Sequence, residues 1–302
     1  MNGPIHDYAR VGIVHFMAYP ACMGGEGPVL DTISRIANDP YFEVIELTRI
    51  KDVETRERVR ALAEQARVDL YLGAQPILLG GGLDLNHSDD AERRKAIDAV
   101  TAGIDQASEL GCKGVAVLSG KVSADRDAAM ARLVDSLKQL CACAKSKGLP
   151  VVLETFDQLP FGKNCLVGPN AEAVAVSKEV RKEYPDFGIM LDLSHLPLQH
   201  EKPADAIRIA GEHLVHAHIG NCAMDDPNHP AYGDNHPRFG APGTRNDVEE
   251  LTEYLRALLD TGYLSTSNRR VLSFEVRPMP GEDADTIIAG SKRTLDEAWR
   301  RL

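Results

Sequence analysis

Eight short apolar runs, each bounded by turn residues and separated from the next by a longer stretch, constrain this chain more than any other feature. They are VGIVHFMA from Val11, FEVIELT from Phe42, VDLYLGA from Val68, GVAVLSG from Gly114, VVLETF from Val151, FGIMLDL from Phe187, LVHAHIG from Leu214 and VLSFEV from Val271. Between them ETRERVRALAEQA, DAERRKAIDAVTAGIDQASELG, AAMARLVDSLKQLCACAKSKG and DVEELTEYLRALLDTG show helical spacing and good helix formers. Gly111, Gly148 and Gly262 stand where helices commonly end. Alternation of this kind reads as repeated βαβ units, and therefore as a parallel sheet covered on both faces. Eight units make an α/β fold of the (β/α)8 TIM barrel type the expected class, as a single domain over residues 1–302. A doubly wound open sheet is the competing architecture. No strand is followed by GxGxxG or a phosphate-loop pattern, and the Gly-rich pieces MGGEGP and LLGGGLDLN fit neither spacing. These two pieces read either as flexible loops or as βα loops shaping a pocket mouth.

Bulk properties exclude several function classes. The net charge of -11 over 302 residues would repel a nucleic-acid backbone, and no basic patch offsets it, so no nucleic-acid partner is expected. The start MNGPIHDYAR has no basic region leading into an apolar stretch, and nowhere do eighteen apolar residues run together. Neither a signal peptide nor a membrane partner is expected, and the expected location is cytoplasmic. The six cysteines (Cys22, Cys112, Cys141, Cys143, Cys165, Cys222) show no CxxC spacing, which argues against a disulfide scaffold or a thiolate zinc site.

The late strands each carry an ionisable residue near the C-terminal end: Glu154 in VVLETF, Asp192 in IMLDLSH, His218 in HAHIGN and Glu275 in LSFEVR. Buried strands rarely carry charge without a partner. At the rim of a barrel these four side chains would converge, and three crowded carboxylates repel one another unless a cation sits among them. One divalent metal ion held by Glu154, Asp192, His218 and Glu275 is therefore expected. The oxygen-rich ligand set favours Mn²⁺, with Mg²⁺, Co²⁺ or Zn²⁺ as alternatives. His195 follows Asp192 by three residues and could approach the metal or a substrate hydroxyl. His216 shares the inward face of His218, and Arg277 that of Glu275, so both are candidate substrate-binding residues; hydrogen-bonded support of the ligands is the other reading of each. His15, in the first run, either faces the pocket or is a buried structural histidine.

The motifs ETF, LDLSH, HAHIGN and SFEVRP, in this order, resemble those of the xylose-isomerase-like TIM barrel superfamily, over nearly the whole chain. The likeness is to its sugar phosphate isomerase/epimerase and AP endonuclease family 2 type members, in particular the branch with tagatose and psicose 3-epimerases. It implies metal ligands at Glu154, Asp192, His218 and Glu275, and a substrate-contacting histidine at His195 through the D-x-x-H spacing. Two positions depart from the 3-epimerase pattern: Met224 stands where those enzymes have an Arg, and Pro160 where they have an acidic residue. The segment GDNHPRFGAPG is similar to the D-x-H stretch of endonuclease IV type enzymes, which implies a second metal at Asp234, His236 and His195. The other reading is that Asp234 and His236 brace the loop while Arg238 reaches the substrate. Gln75 and Ser119 replace the histidines that those endonucleases carry, which argues against a trinuclear site.

The resemblance implies a divalent-metal-dependent sugar isomerase or epimerase, with Glu154, Glu275 and His195 catalytic and an enediolate formed by proton abstraction next to a carbonyl. The same enolate could expel a leaving group, which would make the chain a carbon–carbon or carbon–oxygen lyase on an oxo-glycoside, like the barrel subunits of C-glycoside deglycosidases, or a dehydratase. A non-catalytic sugar-binding barrel subunit is a third reading. The expected partner is a small sugar or oxo-glycoside, and the expected assembly is a homo-oligomer or a complex with a small partner subunit.

Overall fold

A computed structural model describes residues 3–158 and 161–302. Eight parallel strands close on themselves: β1 Arg10–Val14, β2 Val44–Leu47, β3 Asp69–Gly73, β4 Val115–Leu118, β5 Val151–Glu154, β6 Gly188–Asp192, β7 Leu214–Gly220 and β8 Val271–Glu275. Closure comes from β1 pairing with β8, with Arg10 opposite Val271 and Ile13 opposite Phe274. Each apolar run of the sequence supplies one strand, so the closed barrel holds and the open sheet does not.

The period of two along each strand sorts the side chains. Val151, Leu153, Ile189 and Leu191 point outward into the main core beneath the helices. Ala116, Val152 and Met190 form a separate small cluster inside the barrel. Glu154 shares the face of Val152, and Asp192 that of Met190, so the same alternation that fills the lower interior with apolar groups delivers carboxylates at the top. Register then sets their heights. Asp192 lies opposite His218, Glu154 opposite Met190, and Gly220 opposite Glu275.

The helices begin and end on local signals. Asp89 caps the helix Asp90–Leu110 by accepting hydrogen bonds from the N–H groups of Ala91 and Glu92 at 2.8 and 3.1 Å, and Gly111 ends it at φ 73°. Asp247 and Glu250 form a capping box on Val248–Asp260. No helix among the described residues is long and apolar enough to cross a membrane. All six cysteines are free, Cys141 and Cys143 included.

Two local expectations are corrected. The first apolar run does not continue as strand past Val14; His15 opens the helical turn His15–Ala18. Its buried ring meets the Thr32 hydroxyl at 2.8 Å and does not line the cavity at the barrel rim, and burial lowers its pKa to about 4, which fits the reading as a buried structural histidine. The Gly-rich piece after Leu78 is not all loop either, because Gln75–Gly81 is helical and stops at Gly82 with φ 60°.

Candidate functional site

At the C-terminal ends of the strands, Glu154, Asp192, His218 and Glu275 are buried, and one donor atom from each lies within 4.8 Å of all the others. His218 Nδ1 is 2.7 Å from Glu275 Oε2 and 3.8 Å from Glu154 Oε1. Glu154 Oε1 and Asp192 Oδ2 are buried without any hydrogen-bond partner. An orphaned carboxylate oxygen in such a place is costly, and two aimed into one cluster fit the coordination of a divalent cation. The donor set, three carboxylates and one imidazole, fits such an ion without a thiolate. Electrostatics point the same way. Burial, together with the charge of Glu275, pushes the pKa of Glu154 well up. In Glu275 the same burial is outweighed by the charge of His236 and the hydrogen bond and charge of His218, and its pKa falls.

Below this cluster sits a carboxylate that sequence reasoning missed. Glu46 of β2 is buried and accepts from His216 Nε2 at 2.8 Å and from His218 Nε2 at 3.0 Å. With Nε2 turned to Glu46, His218 presents Nδ1 to the other ligands. Carboxylates in this position fix the tautomer and orientation of a metal-binding imidazole. The signal was available: Glu46 is an ionisable residue near the end of an apolar strand, like the four on the late strands.

The long segment after β7, residues 221–246, is folded around Asn221. Its Oδ1 accepts from the backbone N–H of Cys222, Arg245 and Asn246, and its amide donates to Arg238 O and Thr244 Oγ1 at 2.9 and 2.7 Å. The clamp brings Asp234 and His236 to the edge of the cluster. Gly233 is required here, because at its φ of 82° a Cβ would lie 1.6 Å from the Phe161 carbonyl oxygen. His236 also has a left-handed backbone, φ 50°, held by a 2.7 Å bond from Arg277 N–H to its carbonyl.

The predicted substrate-binding residues divide. Arg277 lines the cavity, and its guanidinium has no ion-pair partner among the described residues. His216 lies one layer deeper, on Glu46. Arg238 turns away and pairs with Glu282 at 3.1 Å, because the clamp holds its backbone. His195 does not reach the cavity wall: its Nδ1 donates to Thr155 O at 2.7 Å and its Nε2 faces Asp234. Pro160 lies outside the described residues, and Met224 does not line the cavity. Gln75 does, and it donates to Glu154 Oε2 at 2.6 Å; Ser119 instead receives Val167 N–H and is structural.

The cavity over the cluster has a volume of about 630 Å³. Its lining includes the polar groups of Glu46, Glu154, His218 and Glu275 and the apolar side chains of Phe16, Met17, Leu79 and Phe156. Both Gly-rich pieces reach it, through Met23 and Gly24 and through Leu79 and Gly80, which agrees with their reading as parts of a pocket mouth.

A closed eight-stranded barrel with a cluster of carboxylates and an imidazole at its rim, able to hold a metal ion, is the class of protein that fold and site define. The family model described as xylose isomerase-like TIM barrel matches residues 38–297, and the chain belongs to that family. Over 96 residues it is 29% identical to the D-psicose 3-epimerase of Ruminiclostridium cellulolyticum; this match spans 32% of the chain and 31% of that enzyme's length. Its fold is similar to that of an L-ribulose 3-epimerase, with a TM-score of 0.72 at 18% identity over 97% of this chain and 96% of the other. It is also similar to the 3-keto-D-glucoside 4-epimerase of E. coli, with a TM-score of 0.65 at 18% identity over 97% and 99%.

Proposed function

We propose that the chain is a divalent-metal-dependent sugar isomerase or epimerase that moves a proton at a carbon next to a carbonyl. The observation that carries this reading is that Glu154 and Glu275 belong to the four-donor cluster and both line the cavity. When bound, a divalent ion, with Mn²⁺ favoured, supplies the positive charge that stabilises an enediolate. Glu154 takes the proton from the substrate carbon, because its carboxylate lies in the cluster and lines the cavity. Gln75 holds it in place through Oε2 and leaves Oε1 facing the cluster. Glu275, also in the cluster and lining the cavity, is the second carboxylate for proton return. Arg277 offers a free guanidinium to substrate oxygens. The sugar epimerase names among the similar proteins support the same chemistry.

The size and wall of the cavity favour one variant of this reading. About 630 Å³ falls in the range of sites for drug-sized ligands, and Phe16, Met17 and Leu79 add apolar lining that a fully hydroxylated sugar does not match. A sugar carrying a further group, such as an oxo-glycoside, uses both kinds of lining. An oxo-glycoside also allows elimination of its further group by the same proton abstraction, a lyase outcome.

Incubation of the Mn²⁺-loaded protein with free ketoses and with a 3-oxo-glucoside, followed by chromatography of the products, tests the assignment. An epimer or aldose–ketose isomer with the glycosidic bond intact is the expected product. Release of the aglycone as the main product would replace the isomerase reading with the lyase.

A further inference from the structure

Beside the four-donor cluster lies a second group of buried donors that this proton transfer does not use. Asp234 Oδ1 is 2.7 Å from His236 Nε2 and 3.1 Å from His195 Nε2, so two imidazoles are aimed at one carboxylate oxygen. Asp234 Oδ1 and His195 Nε2 are both buried and lack hydrogen-bond geometry, although they are in contact. The same two imidazoles form, with Asp192, a group of buried donors that could hold a second divalent ion, and Asp234 stands against both of them. The other oxygen of Asp234 is taken by the ammonium of Lys163, which also donates to the Asp234 backbone carbonyl at 3.3 Å and lies 5.5 Å from the centre of the Phe156 ring. Lys163 is tied down in turn: its own N–H and that of Asn164 donate to the Asp157 carboxylate at 3.3 and 3.0 Å.

We propose that Lys163 supplies the second positive charge of this site, standing in for a second metal ion that Asp234, His195 and His236 would otherwise hold. One carboxylate balances one ammonium. A divalent ion added at the same carboxylate would face that ammonium across a single buried group, and two positive charges so close repel. Removal of the ammonium leaves two imidazoles and a buried carboxylate with one oxygen unpartnered, which opens the site to a metal ion. The inference rests on the metal-centre reading above, and predicts one ion for the native chain and two for a chain without the lysine charge.

The test is zinc stoichiometry. Wild type, Lys163→Met and Lys163→Gln are equilibrated with Zn²⁺ by dialysis, and bound metal is counted by mass spectrometry, with circular dichroism confirming native helix content. The expected counts are one ion per chain for wild type, two for each neutral variant, and one again for Lys163→Met combined with His236→Gln. Two ions in wild type, or one in both neutral variants, would overturn the proposal. A wild-type count of zero would instead remove the metal centre itself, and this inference with it.

Discussion

Replacing Glu154 with Gln is expected to lower kcat by about 10²–10⁴-fold, the usual contribution of a positioned acid–base group. The substitution keeps the side-chain volume, and its one oxygen can face the metal cluster while its NH2 takes the place of Oε2 beside Gln75, whose amide turns to accept through its otherwise unpartnered Oε1. What it removes is the ability to take a proton. The steady-state rate should therefore collapse while divalent metal content, measured on the same sample, stays near one ion per chain. Retention of kcat within tenfold of wild type would show that Glu154 is not the base. Loss of metal together with activity would assign it to coordination alone.

Glu46→Gln is expected to weaken divalent metal binding by about 10–100-fold, although Glu46 is not among the four donors of the cluster. Its carboxylate receives the Nε2 hydrogens of both His216 and His218 within 2.8–3.1 Å. Through His218 it sets which nitrogen faces the ion, and its negative charge makes that nitrogen a better donor. The amide loses the charge and can satisfy only part of the pairing. Titration with Mn²⁺, following free ion by electron paramagnetic resonance, reads the change directly. Wild-type affinity in this variant would mean that Glu46 serves only the packing of the barrel floor.

These two residues also mark how far the sequence could be read. The strand order, barrel closure and four-donor set were legible because an ionisable residue at the end of a buried apolar run violates the burial rule, and parallel register carries such ends to one rim. Glu46 obeys the same logic in FEVIELT, but a lone carboxylate on an early strand has no neighbouring ionisable strand ends in sequence to single it out. His15 was harder, since β1 stops at Val14 and the following helical turn sends the next side chain toward Thr32 rather than the cavity. Arg238, His195 and Lys163 were beyond reach for a different reason. Their directions depend on loop hydrogen bonds: the Asn221 clamp turns Arg238 to Glu282, Thr155 holds His195 behind Asp234, and Asp157 fixes the loop that delivers Lys163. No spacing rule encodes those contacts.

In the proposed chemistry a divalent ion at Glu154, Asp192, His218 and Glu275 activates a carbon-bound hydrogen of a sugar for transfer. It is tested most directly by nuclear magnetic resonance in D₂O, following a ketose or 3-oxo-glucoside with protein stripped by chelator and then reloaded with Mn²⁺, the ion being removed before spectra are taken. The account predicts that deuterium enters at the carbon next to the carbonyl only with the reloaded protein, and that Glu154→Gln abolishes it. Equal exchange or equal turnover by stripped and reloaded protein would contradict it.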